Sequence, residues 1–163
     1  VRAEIFAEVP DAVPADPHGW QQVFFRAQAL MERFLVDRYG HDELKAWAEA
    51  NAEMHRHVEP DPEGGPVDPI RRIARQAELY GSEFHVVAGE ESAQVEISHC
   101  AIWDYREKAR KRDVTITLES PCEYCTHATS SNIEIKGYRS EYELTNGSGG
   151  PGCRWVARRA TLP

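Results

Sequence analysis

The sequence predicts an α+β fold: N-terminal helices packed on a small antiparallel sheet made of two hairpins, with helices between them. Three observations predict it. Apolar residues recur at three- and four-residue steps through residues 18–81. The period then switches to two over residues 84–97, and again over 138–145. Short amphipathic stretches separate the two alternating regions, and no parallel-sheet pattern accompanies them.

In chain order, Pro10, Pro14 and Pro17 interrupt residues 1–17 often enough to predict an extended arm. A first helix starts near His18. Trp20, Val23, Phe24, Ala27, Leu30, Met31, Phe34 and Leu35 form a broad apolar stripe expected to face the core, and Gly40 ends the helix. A second helix opens at Asp42, a good N-cap type, and runs through Trp47 and Asn51 toward Val58. His55 and His57, two apart on this helix, point to different sides and are expected to be solvated or partly packed. The proline- and glycine-rich stretch 59–67 is a connector, with a lid as the alternative. Asp68-Pro69 starts a third helix that ends at Gly81.

Phe84, Val86 and Ala88, then Ala93, Val95 and Ile97, alternate around Gly89-Glu90-Glu91 and predict a hairpin. Residues 101–108 read as a short amphipathic helix, 114–118 as an extended piece, and 122–133 as a helix closed by Gly137. Tyr138–Thr145 and Cys153–Arg158 are the strands of a second hairpin, joined by a glycine-rich turn at 146–152. That turn lacks the Lys-Ser/Thr ending and the strand-loop-helix setting of a phosphate loop. The 163 residues are expected to form one domain, with the arm at 1–17, the helical part at 18–81 and a cysteine-bearing α+β part at 83–159.

Composition narrows the function. Apolar residues make up 41% of the chain, enough for a packed interior. A net charge of -8 repels phosphate backbones, so nucleic acid and anionic membrane are not expected partners. No apolar run approaches the ~20 residues that span a bilayer, and Val1-Arg2-Ala3-Glu4-Ile5 lacks the pattern of a signal peptide. Four cysteines in a chain of this size suggest reduced thiols and a cytoplasmic location.

Chemistry-bearing residues concentrate around Cys122-Glu123-Tyr124-Cys125-Thr126-His127. Cys100 follows His99, and Cys153 follows the glycine turn. Three readings are open. Zinc needs four ligands: Cys122 and Cys125 would supply two, with two more from His99, Cys100, His127, Glu143 or Cys153; there is no second C-x-x-C. A cysteine at a helix N-terminus beside an imidazole has a lowered pKa and more thiolate, which would make Cys125 the nucleophile, with His127 or His99 as candidate bases. Free cysteines also simply pack in cores. A redox dithiol would need a βαβ setting that the pattern does not offer. Arg139, Arg154, Arg158 and Arg159 would either meet a ligand carboxylate or form a solvated strand face.

The segments Ile97-Ser98-His99-Cys100-Ala101-Ile102-Trp103, Pro121–His127, Tyr142-Glu143-Leu144-Thr145 and Cys153-Arg154-Trp155 resemble the L-2-amino-thiazoline-4-carboxylic acid hydrolase-like family. They resemble, more remotely, 4-vinyl reductase-type small-molecule-binding domains. The likeness covers residues 83–159. It implies a hydrolase-like enzyme that opens or forms a ring in a small amino-acid-derived substrate, with Cys100, Cys125 and Cys153 as family cysteines. His127 stands where the family pattern carries Asp. Substrate contacts are expected from His99, Trp103, Arg139 and Arg154. The remoter likeness implies a zinc-containing, non-catalytic ligand-binding module with Cys122, Cys125, Glu143 and Cys153 as its ligands. A helper subunit beside a partner enzyme is a third reading. A homo-oligomer is the other assembly compatible with either reading.

Overall fold

A computed structural model describes residues 17–58, 64–114 and 117–160. The arm at 1–16, most of the 59–67 connector, and Thr115 and Ile116 of the expected extended piece lie outside the described residues. The fold is α+β. Helices α1 (Pro17–Tyr39), α2 (Asp42–Val58) and α3 (Val67–Tyr80) precede strands β1 (Glu83–Ala88) and β2 (Ser92–His99). Helices α4 (Ala101–Arg110) and α5 (Glu123–Glu134) follow, then strands β3 (Tyr138–Gly147) and β4 (Gly150–Arg159).

The two predicted hairpins fuse into one four-stranded antiparallel sheet, ordered β1-β2-β4-β3. The joint is the β2–β4 pair, where Val95 opposes Trp155 and Ile97 opposes Cys153. The side-chain period of two then sorts the faces. Ala93, Val95, Ile97, Trp155 and Ala157 are buried on the inner face. Glu96, Arg154 and Glu143 share a row on the outer face, where Arg154 pairs with Glu143 and Arg158 with Glu141.

Helix α3 covers the inner face with Val67, Ile70, Ile73, Ala74 and Ala77, and Ile133 of α5 completes that core. Its end is fixed by Gly81, whose φ of 77° is the left-handed conformation that glycine adopts without a Cβ clash. Ser82 N–H then reaches back to the Ala77 carbonyl at 2.9 Å. Leu44, Ala48 and Ala52, spaced four apart on α2, are fully buried.

Two sequence expectations fail here. The broad stripe of α1 is not a core face: Trp20, Leu30 and Phe34 are each more than half exposed. The buried line is rotated by one position and consists of Phe25 and Glu32. Phe25 meets the rings of Tyr80 and Tyr105, and Glu32 meets Arg106 of α4, so ring packing and a buried ion pair set the helix orientation. The glycine turn is also shorter than expected. Asn146 pairs with Pro151 and Gly147 with Gly150, which leaves Ser148 and Gly149 as a two-residue hairpin turn.

Candidate functional site

A cavity of about 380 Å³ lies between the helices and the inner face of the sheet. Every described element except β1 contributes to its wall. Helices α1, α2, α3 and α5 do so with regular stripes. Helix α1 gives Phe24, Ala27, Gln28 and Met31; α2 gives Trp47, Asn51 and His55; α3 gives Arg72, Ile73, Gln76, Ala77 and Tyr80. Helix α5 turns Tyr124, Cys125, Ala128, Thr129 and Asn132 toward it, again at four-residue steps. Ile97, Leu144, Cys153 and Trp155 form the sheet side, and Ile102 and Trp103 of α4 close one end. Phe24, Ala27 and Met31 of the α1 stripe therefore face a cavity and not a filled core.

All four cysteines line this cavity, and all are free thiols. Cys100 and Cys122 occupy the capping positions before α4 and α5, and Cys125 sits in the first turn of α5. The expectation that this placement lowers a thiol pKa is overturned. Burial dominates and pushes Cys122 up to about 11 and Cys153 to about 12. Cys125, more enclosed still, is driven well above the ordinary thiol range by the same desolvation. The Arg106 guanidinium pulls Cys122 and Cys125 down, but more weakly than burial pushes them up.

The aromatic lining is ordered by stacking. Trp47 and Tyr124 stack with centroids 4.7 Å apart, and Tyr142 stacks on Trp155 at 4.8 Å. Burial raises the Tyr124 phenol to about 12 despite its hydrogen bond with Asn51.

The other expected site residues are elsewhere. His127 is not among the cavity-lining side chains, although its helix neighbours Thr126 and Ala128 are. His99 is a latch: Nδ1 lies 2.6 Å from the Gly149 carbonyl and Nε2 lies 2.7 Å from Asp104 Oδ2. Two acceptors at the two ring nitrogens favour the imidazolium, and the His99 pKa is raised, by the Gly149 carbonyl first and Asp104 second. Such a ring is a poor base. Arg139 and Arg154 sit on the exposed outer face beside Glu141 and Glu143, away from the cavity. Of the expected substrate contacts, only Trp103 reaches it.

The zinc ligand set does not assemble. Glu143 is one residue out of phase with Leu144, which opposes Cys153, so its carboxylate leaves the other face of the sheet and pairs with Arg154. Among the described residues, no three His, Cys, Asp or Glu side chains are arranged to hold a metal ion. The residues present do not fit zinc.

Sequence reasoning missed Asn51, His55, Arg72, Gln76 and Asn132. The spacing Trp47-Asn51-His55 was the available signal: a polar stripe in line with a tryptophan marks a helix face turned to a polar-tipped cavity. Among the described residues, no helix is long and apolar enough to cross a membrane.

No protein-family model matches this chain, and no curated protein does. Solved structures of similar chain trace include a trafficking protein particle complex subunit 3 from Naegleria fowleri covalently bound to palmitic acid. It is 10% identical, with 88% of this chain and 97% of that one covered, at a TM-score of 0.46. Another is the Fe(II) unliganded H-NOX protein from K. algicida, 11% identical, with 80% and 69% covered, at a TM-score of 0.43. At these identities and scores, neither assigns this chain a family or an activity.

Proposed function

We propose that this chain is a non-catalytic small-molecule-binding module whose ligand occupies the cavity between α1, α2, α3, α5 and the sheet. The observation that carries the reading is the cavity itself. Its volume of about 380 Å³ falls within the ~300–1,000 Å³ typical of ligand pockets. Its wall combines stacked aromatics and aliphatics with a few polar side chains from four helices, the composition such pockets use.

The thiols support binding over catalysis. A Cys–His hydrolase needs a thiolate with an imidazole in reach. Here burial holds Cys122, Cys125 and Cys153 protonated, and His127 is not part of the cavity wall. Neutral thiols act as small, polarisable apolar groups, a suitable lining for a hydrophobic ligand.

The test uses a neutral apolar fluorophore, N-phenyl-1-naphthylamine. It should bind saturably at one site per chain. Ala128→Trp, which fills the cavity from α5, should abolish binding while leaving the circular dichroism spectrum unchanged. Non-saturable binding, or undiminished binding by a folded Ala128→Trp variant, would overturn the reading.

A further inference from the structure

We infer that a second copy of this chain docks on the exposed face of α1, antiparallel, with the two helices crossing at Ala27. The inference is independent of what the cavity binds. Trp20, Val23, Phe24, Leu30, Met31 and Phe34 are each 45–58% exposed, and Ala27 between them is exposed as well. The core side of the helix is the opposite one, where Phe25 and Glu32 are buried. Large apolar side chains collected on one helix face and left in water mark an interaction surface. These six, each with about half its surface in water, offer on the order of 600 Å² of apolar area. A standard-size interface takes ~800 Å² from each partner, so this face with its polar rim is large enough for a stable dimer.

The spacing identifies the partner as the same helix. Trp20, Val23 and Phe24 lie seven, four and three residues before Ala27; Leu30, Met31 and Phe34 lie three, four and seven after it. A two-fold axis at Ala27 therefore places Trp20 on Phe34, Val23 on Met31 and Phe24 on Leu30, each pair twice. That is the self-complementarity an isologous interface requires. The steps of three and four from Trp20 through Val23, Ala27 and Leu30 to Phe34 are the spacing of a helix–helix seam. Ala27, the smallest side chain in the row, sits where the two backbones come nearest. Ring contacts within the chain hold two of the anchors in place. Phe24 stacks on Tyr80 with centroids 5.5 Å apart, and Phe34 meets Tyr39 edge-on at 6.1 Å. Anchors already fixed lose little side-chain freedom on binding. Phe24, Ala27 and Met31 also line the cavity, so the second copy borders the cavity along α1.

Sedimentation equilibrium of the full chain tests this. The wild type should give twice the 18.5 kDa chain mass. Trp20→Lys and Phe34→Glu, neither at a cavity-lining residue, should each raise the dimer Kd at least about tenfold by burying an unpaired charge. Mixing the two variants should restore the dimer, because position 20 of one copy meets position 34 of the other and the introduced charges pair. Val87→Glu, at a comparably exposed apolar residue of β1, should leave the dimer intact. Circular dichroism checks that each variant is folded. The inference is overturned by a monomeric wild type, in which case residues 1–16 or a different protein are the remaining occupants of the face. It is overturned too if both single variants dimerise like the wild type, or if their mixture stays monomeric.

Discussion

Arg106 on α4 donates through Nη2 to Glu32 Oε1 on α1 at 2.7 Å, and both side chains are almost wholly buried. Gln28 Nε2 donates to the same oxygen at 3.0 Å. Among the described residues, Glu32 Oε2 and Arg106 Nε have no hydrogen-bond partner. Such a pair contributes little net stability, because desolvation offsets the attraction, but losing one partner strands a buried charge. Glu32→Ala or Arg106→Ala should each cost about 3–5 kcal/mol, read as a fall in Tm on the order of 10 °C. The double variant Glu32→Leu with Arg106→Met should cost less than either single change. A single variant that melts with the wild type would show that the pair does not orient α1.

Two histidines predict how stability changes with pH. His41 is raised above 6.5 by its hydrogen bond to Glu123, and His99 by its bonds to the Gly149 carbonyl and Asp104. The folded chain therefore holds these protons more tightly than the unfolded chain does. Their stabilisation is complete below about pH 6.5 and is lost as pH rises through the raised values. Urea midpoints should fall between pH 6 and pH 8.5, and the fall should shrink in His41→Gln, in His99→Gln, and further in the pair. An unchanged pH profile in the double variant would reject the latch role.

The thiols should be slow. Cys122 at about 11 and Cys153 at about 12 leave little thiolate at pH 8, and Cys125 leaves less. A higher intrinsic nucleophilicity at higher pKa offsets part of this. Iodoacetamide should modify these three about tenfold to a hundredfold more slowly in the folded chain than in urea, followed by peptide mass spectrometry. One thiol reacting at the rate of free cysteine would restore the nucleophile reading.

Much of the architecture was legible because it rests on local periodicity. The switch from helical to strand period located both hairpins, and Gly40, Gly81 and Gly137 marked helix ends as expected. Cys100, Cys122, Cys125 and Cys153 line one cavity, whereas His127, grouped with Cys122 and Cys125 by sequence, is not part of its wall. What escaped depends on partners distant in sequence. The α1 stripe could not reveal that Phe25 and Glu32 would be chosen over Trp20 and Leu30, because Tyr80, Tyr105 and Arg106 make that choice from 55 to 80 residues away. The sign of the thiol shifts was missed for the same reason: a helix N-terminus is a local feature, whereas burial is set by the whole fold. Glu143 and Arg154 were misplaced by strand phase, since one step along a strand exchanges cavity for solvent.

Strand phase also makes Gly152 the most constrained glycine of the second hairpin. It lies in β4, not in the turn, between Ile97 of β2 and Thr145 of β3. A Cβ at this position would collide with the Ile97 carbonyl oxygen and meet Thr145 Oγ1 at 3.1 Å. Because the collision is with backbone, the β2–β4 pair must separate. Gly152→Ala should therefore destabilise the chain by about 1–3 kcal/mol or more. Gly147→Ala, five residues earlier with nothing within 4 Å of its Cβ, should stay within about 0.5 kcal/mol of wild type. Ile97 and Cys153 flank the collision and line the cavity, so the same shift should weaken N-phenyl-1-naphthylamine under conditions where Gly152→Ala remains folded. A folded Gly152→Ala chain with wild-type affinity would show that the sheet side of the cavity does not shape the site.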